Sequence, residues 1–251
     1  MIIGLLSLIL FILLALIGKE RGVTTAFTIL FNTLVMILYI RGIMKGFPLI
    51  LFTIVATFLF MVINLFVQNG YNVKTRVSFV SVVIILLLIS LYSIFVIQMY
   101  EVGGFSDIYV YDEDLQYFKV NIGRNSDVLF MCATVTGTLG ALIDSAISIA
   151  TAVNEVYVQN PGIEAKKLFM SGIYVGRDIL GTTINTLLFA QAGEGFFVWM
   201  IYLKQHYSFL KIINSKSFFQ EIFFVFLANL GCFLIIPLTA YITAKVLKNH
   251  K

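Results

Sequence analysis

Long apolar runs alternate with short polar intervals along the whole chain. The runs are close to the ~20 residues that a helix needs to cross the hydrocarbon of a bilayer. Inside lipid every backbone N–H and C=O has to be paired within its own segment, so runs of this length imply helices. The pattern predicts seven spans, over about 2–17, 24–40, 47–67, 77–99, 128–154, 178–203 and 218–244. Span 2–17 is short and would reach both interfaces with local thinning of the bilayer. It lacks a basic leading region and a small-residue cleavage pattern, and Lys19-Glu20-Arg21 follows it, so it reads as a retained span rather than a signal peptide.

Two local signals refine the map. Asn160-Pro161-Gly162 ends the fifth run, because Pro161 cannot continue the helical ladder. Residues 163–174 then place Leu168, Phe169, Ile173 and Tyr174 against Glu164, Lys166 and Lys167, the pattern of a short amphipathic helix on the cytoplasmic surface. Ser217 and Gln220 have the spacing of a capping box before the last span. Pro237 within that span predicts a kink.

Composition agrees with this class. Hydrophobic residues make up 60% and charged residues 12%, against about 25% charged in a soluble domain. A transmembrane barrel would show short alternating segments instead. The longest polar interval, 101–127, leaves no room for a soluble domain, so the chain reads as one transmembrane domain over 1–251. The net charge of +4 carries no nucleic-acid signal, since no basic block interleaves with aromatics. Cys132 and Cys232 lie in apolar runs and read as packing residues rather than a disulfide. No metal-ligand spacing or cofactor motif is present, so neither metal nor cofactor is expected.

Orientation follows from the basic residues. Lys19, Arg21, Lys74, Arg76, Lys166, Lys167, Arg177, Lys245, Lys248 and Lys251 fall on one side. Arg41, Lys45, Lys119, Arg124, Lys204, Lys211 and Lys216 fall on the other. The balance places the N-terminus outside and the C-terminus inside. The loop bearing Asp107, Asp112, Glu113 and Asp114 is then external.

Candidate chemistry centres on Asp144, the sole charge between Asp127 and Glu155. A carboxylate near the middle of a spanning helix costs on the order of 2.5–3.5 kcal/mol on insertion scales. Helical spacing sets Asp144, Ser148, Thr151 and Glu155 along one face, with Asn154 beside its end. Small residues, Ala133, Gly137, Ala141 and Ser145, form a second row next to Gly140 and allow close helix approach. The sixth run opens with Arg177 and Asp178, continues through Gly181, Thr182, Asn185 and Thr186, and meets a polar interruption at Gln191, Gly193 and Glu194. Gly172 and Gly176 precede it at packing distance. Asp144, Glu155, Arg177, Asp178 and Glu194 are therefore proton- or ion-relay candidates. Each also has a structural reading: Asp144 as a carboxylate bonded to a Thr or Asn of the sixth span, the others as interfacial charges or a helix N-terminal Asp. Asn32, Asn64 and Asn229 read as interhelical hydrogen-bond donors.

The same residues carry a family resemblance. Gly140-Ala-Leu-Ile-Asp144-Ser-Ala-Ile-Ser148, Asn160-Pro161, Ser171-Gly172, Gly176-Arg177-Asp178-Ile-Leu-Gly181-Thr-Thr-Ile-Asn185-Thr186, Ala192-Gly193 and Pro237-Leu-Thr239 resemble the YibE/F family of bacterial membrane proteins. The resemblance covers nearly the whole chain and is to the short, YibF-type member. It implies a multi-pass protein of the bacterial plasma membrane, acting as a homo-oligomer or beside a longer YibE-type partner. Members are usually described as multi-pass proteins, sometimes as efflux-type transporters, without a settled activity. The mid-span Asp followed by an amphipathic segment and a Gly- and Thr-rich helix also resembles the proton-coupled core of resistance–nodulation–division permeases.

The function expected from residues and resemblance together is a transporter or efflux subunit, proton-coupled, with its pathway between the fifth and sixth spans. The alternative is a non-transporting subunit that stabilises or positions a larger partner. An enzyme is not expected: there is no His-Glu-x-x-His or Gly-x-Ser-x-Gly motif, and His206 and His250 lie in a loop and the tail.

Overall fold

The computed structural model describes residues 2–100 and 126–249. The expected external placement of Asp107, Asp112, Glu113 and Asp114 falls outside the described residues. Those described are helical, with no strand among them. The helices are α1 (Ile2–Met44), α2 (Leu49–Met61), α3 (Val73–Tyr100), α4 (Ser126–Gln159), α5 (Ala165–Glu194), α6 (Phe196–Lys204), α7 (Phe209–Ile213) and α8 (Lys216–Asn249). Five of them are long and apolar enough to cross a membrane, counting the extension of α2, and α5 with α6 forms a sixth if that bent pair is one span.

Helices α3, α4, α5 and α8 form the core of the bundle, with α2 against α4 and α1 against α2. Lipid tails are as apolar as leucine, so close packing rather than water exclusion holds such helices together. One apolar cluster joins Leu65, Val82, Ile89, Leu142, Ala146, Leu227 and Ile235 from α2's extension, α3, α4 and α8. A second joins Ile149, Val153, Leu168, Ala240 and Leu247 with Val73. That second cluster gathers the start of α3, the end of α4, the start of α5 and the end of α8. Consecutive long helices from α3 onward therefore run in alternating directions.

The helix α1 spans 43 residues, about 65 Å of helix against a hydrocarbon core of about 30 Å. It is interrupted at Lys19, whose φ of 49° and ψ of −130° are non-helical. Beyond the break the chain passes tightly over itself, and a Cβ on Gly22 would lie 1.8 Å from the carbonyl oxygen of Leu14. Glycine is the residue that admits this approach. The two runs expected at 2–17 and 24–40 are thus two arms of one element bent at Lys19.

The end of α2 widens into a π-helical stretch, Val62–Val67. It presents Asn64 to Asn32 of α1, and the two amides exchange hydrogen bonds of 3.1 and 3.2 Å. Asn64 also donates to the carbonyl of Phe60 at 2.8 Å.

Two expectations need correction. Residues 163–174 do not form a separate surface helix. Residues 165–174 are the first turns of the continuous α5, with Glu164 at its N-cap, held on the bundle by buried Leu168, Gly172 and Gly176. The start of α8 is capped by Ser215 rather than Ser217. The Oγ of Ser215 accepts from the backbone N–H of Phe218 at 3.3 Å, while the buried Oγ of Ser217 has no hydrogen-bond partner among the described residues. Helix α8 runs through Pro237 as one element. The polar interruption near residue 193 does coincide with a break: α5 and α6 meet at Gly195 with a bend of 43°.

Candidate functional site

Asp144 lies near the middle of α4, about 27 Å of helix from one end and about 22 Å from the other. One face of α4, with Cys132, Val135, Leu139, Leu142, Ala146, Ile149 and Val153, is buried in the bundle. The opposite face carries Ala133, Gly137, Gly140, Asp144, Ser148 and Glu155, all exposed on the single chain, with Thr151 half-buried. The carboxylate of Asp144 has no hydrogen bond or ion pair among the described residues.

A groove of about 950 Å³ opens beside it, between the second arm of α1, the π-helical turn of α2 and α4. Asn32, Thr33, Asn64, Thr136 and Asp144 supply its polar lining, and Asp144 is the only charged residue there. The hydroxyls of Thr33 and Thr136 donate to the carbonyls of Ile29 and Cys132, both at 2.8 Å. Tyr39 shares a hydrogen bond of 2.8 Å with Thr53 at the groove wall. These bonds satisfy the donors and leave oxygen lone pairs free to accept from water.

The structure brings Asp144 to α1 and α2 rather than to α5, since none of the groove's lining comes from α5. The reason is angular. A Cβ on Gly172 of α5 would touch Val153 of α4 and Ala240 of α8, each at 2.7 Å. Val153 stands roughly half a turn from Asp144 around α4, at 3.6 residues per turn. The expected bonds from Asp144 to Thr182 or Asn185 are absent. Thr182 and Thr186 donate instead to the carbonyls of Ile179 and Thr182 at 2.9 Å.

The other sequence candidates separate. Arg177, Asp178, Gly181, Thr182, Asn185 and Thr186 form an exposed polar strip on α5. Arg177 stacks over Tyr174 at 5.7 Å and is not paired with Asp178, because one ion pair occurs among the described residues and it is Lys74–Glu155 at 3.1 Å. Asn154 is half-buried near that pair. A Cβ on Gly137 would lie 2.5 Å from the ring of Phe224, whereas Gly140, Gly181 and Gly193 have open space. Ala141 is half-buried. Cys132 and Cys232 are buried and free. No group of three or more metal-ligating side chains is assembled among the described residues.

Glu221 is a residue the sequence reading passed over. It lies inside the expected span 218–244 and accepts a hydrogen bond from the side chain of Gln191. Its isolated charge in an apolar run was the available signal. Its pairing with a residue 30 positions away was not.

The Lys74–Glu155 pair is exposed, with side-chain exposures of 26% and 58%. Glu155→Gln is expected to change stability by less than about 1 kcal/mol, read as an unchanged thermal midpoint in detergent.

The sequence along these apolar helices matches a family model, that of the YibE/F-like proteins, over residues 6–249. The chain belongs to the YibE/F family. No curated protein and no solved structure matches it. The Asp144 groove of this YibE/F protein lies within the matched region.

Proposed function

We propose that this YibE/F protein is the membrane-embedded subunit of a proton-coupled transporter in the bacterial plasma membrane. The observation that carries the reading is a carboxylate, Asp144, unpaired among the described residues, at mid-helix in a large and mainly apolar groove that holds a few uncharged polar side chains, Asn32, Thr33, Asn64 and Thr136. Ionisable residues at membrane depth mark ion and proton paths more often than they serve as packing. The proposed pathway therefore runs along α1 and α4, in place of the α4–α5 route expected from the sequence. Asp144 would take up and release a proton, and Asn32, Thr33 and Thr136 would hold the water that delivers it.

The proposed topology has seven crossings, with the two arms of α1 counted separately. The N-terminus is outside and the C-terminus inside. The alternation of α3 to α8 supports the grouping of Lys74, Lys166, Lys167 and Lys248 on one side.

A second reading has its own observation. The polar strip of α5, Arg177 to Thr186, is uncovered on the single chain. A second copy or a longer YibE-type partner that covered it would satisfy Asn185 and Asp178, and the chain would then position that partner.

The test uses purified protein in liposomes with a trapped pH dye and an imposed proton gradient, challenged in turn with metal cations, organic cations and organic anions. The reading predicts protein-dependent proton movement that Asp144→Asn removes. Equal protein-dependent movement with both proteins would defeat the Asp144 relay, and no movement above protein-free liposomes with either would defeat the transport reading and leave the partner reading.

A further inference from the structure

A second cavity, about 510 Å³, lies away from the Asp144 groove where the end of α5, α6 and the first half of α8 meet. Its wall is aromatic. Trp199 stands edge-on to Phe218 at 5.7 Å and to Tyr202 at 6.3 Å between ring centroids. The ring of Tyr202 is 1% exposed, and its hydroxyl is tied to Ser215 by a short hydrogen bond. The bend at Gly195 is what turns α6 so that Trp199 faces α8. These rings are therefore held in place before any ligand arrives.

Set into that wall is Glu221. Gln191 donates to it, and Glu194 lies near enough to interact with it electrostatically. No Lys, Arg or His lines the cavity among the described residues, and Glu221 is in no ion pair there. Also lining the cavity is Asn229, whose buried Oδ1 has no hydrogen-bond partner among the described residues. From Phe218 to Asn229 the cavity follows about 16 Å of α8. It offers π faces, a carboxylate without a counter-ion and an unused acceptor, with an apolar remainder.

From this arrangement we infer that the cavity is a binding site for a hydrophobic organic monocation. Indole and phenyl faces, here Trp199, Phe218 and Phe226, attract a cation through their quadrupole, and most strongly where water is excluded. Glu221 supplies the opposite charge, the rings and aliphatic walls take the apolar substituents, and Asn229 accepts from any N–H the cation carries. An inorganic cation fits less well, because two nearby carboxylates and one amide oxygen give too few oxygen ligands for a hard ion. An anion would meet Glu221 unscreened. The inference concerns binding and stands apart from whether Asp144 carries protons.

Trp199 is the only tryptophan in the chain, so intrinsic fluorescence of the purified protein reports on this cavity directly. Titration with tetraphenylphosphonium is expected to give a saturable change in Trp199 emission, while neutral triphenylphosphine oxide gives little. Glu221→Gln is expected to weaken tetraphenylphosphonium binding by about thirtyfold or more, the usual scale for removing one partner of a desolvated charge pair. Glu164→Gln, which removes an exposed carboxylate elsewhere, should leave the affinity unchanged. The wild-type comparison of cation with neutral probe needs no variant and holds even if Glu221→Gln fails to fold. Equal responses to the two probes, no saturable response to the cation, or full affinity in a folded Glu221→Gln protein would each overturn the assignment.

Discussion

Asp144→Asn is expected to leave the protein inserted and at least as heat-stable as wild type, while abolishing proton movement in liposomes. The two parts of this result have separate causes. The carboxylate has no hydrogen-bond or ion-pair partner among the described residues, so the amide breaks no bond. Removing the charge also relieves part of an insertion penalty on the order of 2.5–3.5 kcal/mol. Stability should therefore hold or rise. An amide cannot exchange a proton in the same range, so the relay stops. A purely structural Asp144 predicts the reverse sign on stability, because losing a buried hydrogen-bonded partner costs about 1–3 kcal/mol. Thermal midpoint and flux measured on one preparation separate the two accounts.

The largest loss of stability is expected from Gly176→Val. A Cβ at this position would lie 2.3 Å from Cγ2 of Ile236, well inside contact distance. The β-branched side chain cannot avoid α8, so α5 has to move or Ile236 has to leave its rotamer. Overpacking of this kind costs about 1–3 kcal/mol and sometimes more. The contact sits where α5 is anchored, since Gly176 is the last buried residue of that helix. Loss of the anchor should free the rest of α5, and the protein should melt earlier or aggregate in detergent. Gly181→Val is the matched control. It lies five residues on, with nothing within 4 Å of its Cβ position, and its stability should change by less than about 1 kcal/mol. Similar losses in both variants would mean that α5 and α8 do not pack as described.

How much of this was legible in the sequence depends on the range of the interaction. Helix positions were, because apolar runs and Pro161 act locally. The runs at 47–67, 77–99, 128–154 and 218–244 lie within or close to α2 with its extension, α3, α4 and α8. The interruption after Gln191 was legible for the same reason, and it became the bend at Gly195. The continuity of α5 was not. Lys166 and Lys167 give residues 163–174 a surface-helix look, and only the packing of Gly172 and Gly176 on α8 shows that these turns belong to the bundle.

The singularity of Asp144 was plain from its run, and its face on α4 followed from helical spacing. What lies opposite that face did not. Asn32 and Asn64 are far apart in the chain, and neither marks itself as a neighbour of α4. The groove arises because α5 takes the other side of α4 and leaves this one facing α1 and the end of α2 across an open space. Such a choice depends on how several helices share one neighbour, which no local pattern encodes. Glu221 shows the complementary case, a visible charge whose meaning depends on the packing of α5, which sets Gln191 beside it, and on a bend that carries Trp199 to the same cavity.

The central claim is that the groove beside Asp144 is open to water. Gly140 offers the most direct probe, since it lies one turn from Asp144, lines the same groove and has room for a side chain. The measurement is the labelling of Gly140→Cys in membranes, with Cys132 and Cys232 replaced by alanine, using a charged, membrane-impermeant maleimide and a permeant one. A water-filled groove predicts rapid labelling by both reagents, with Asp144 left intact. Labelling by the permeant reagent alone would show that the groove is sealed by lipid or protein and would contradict the account.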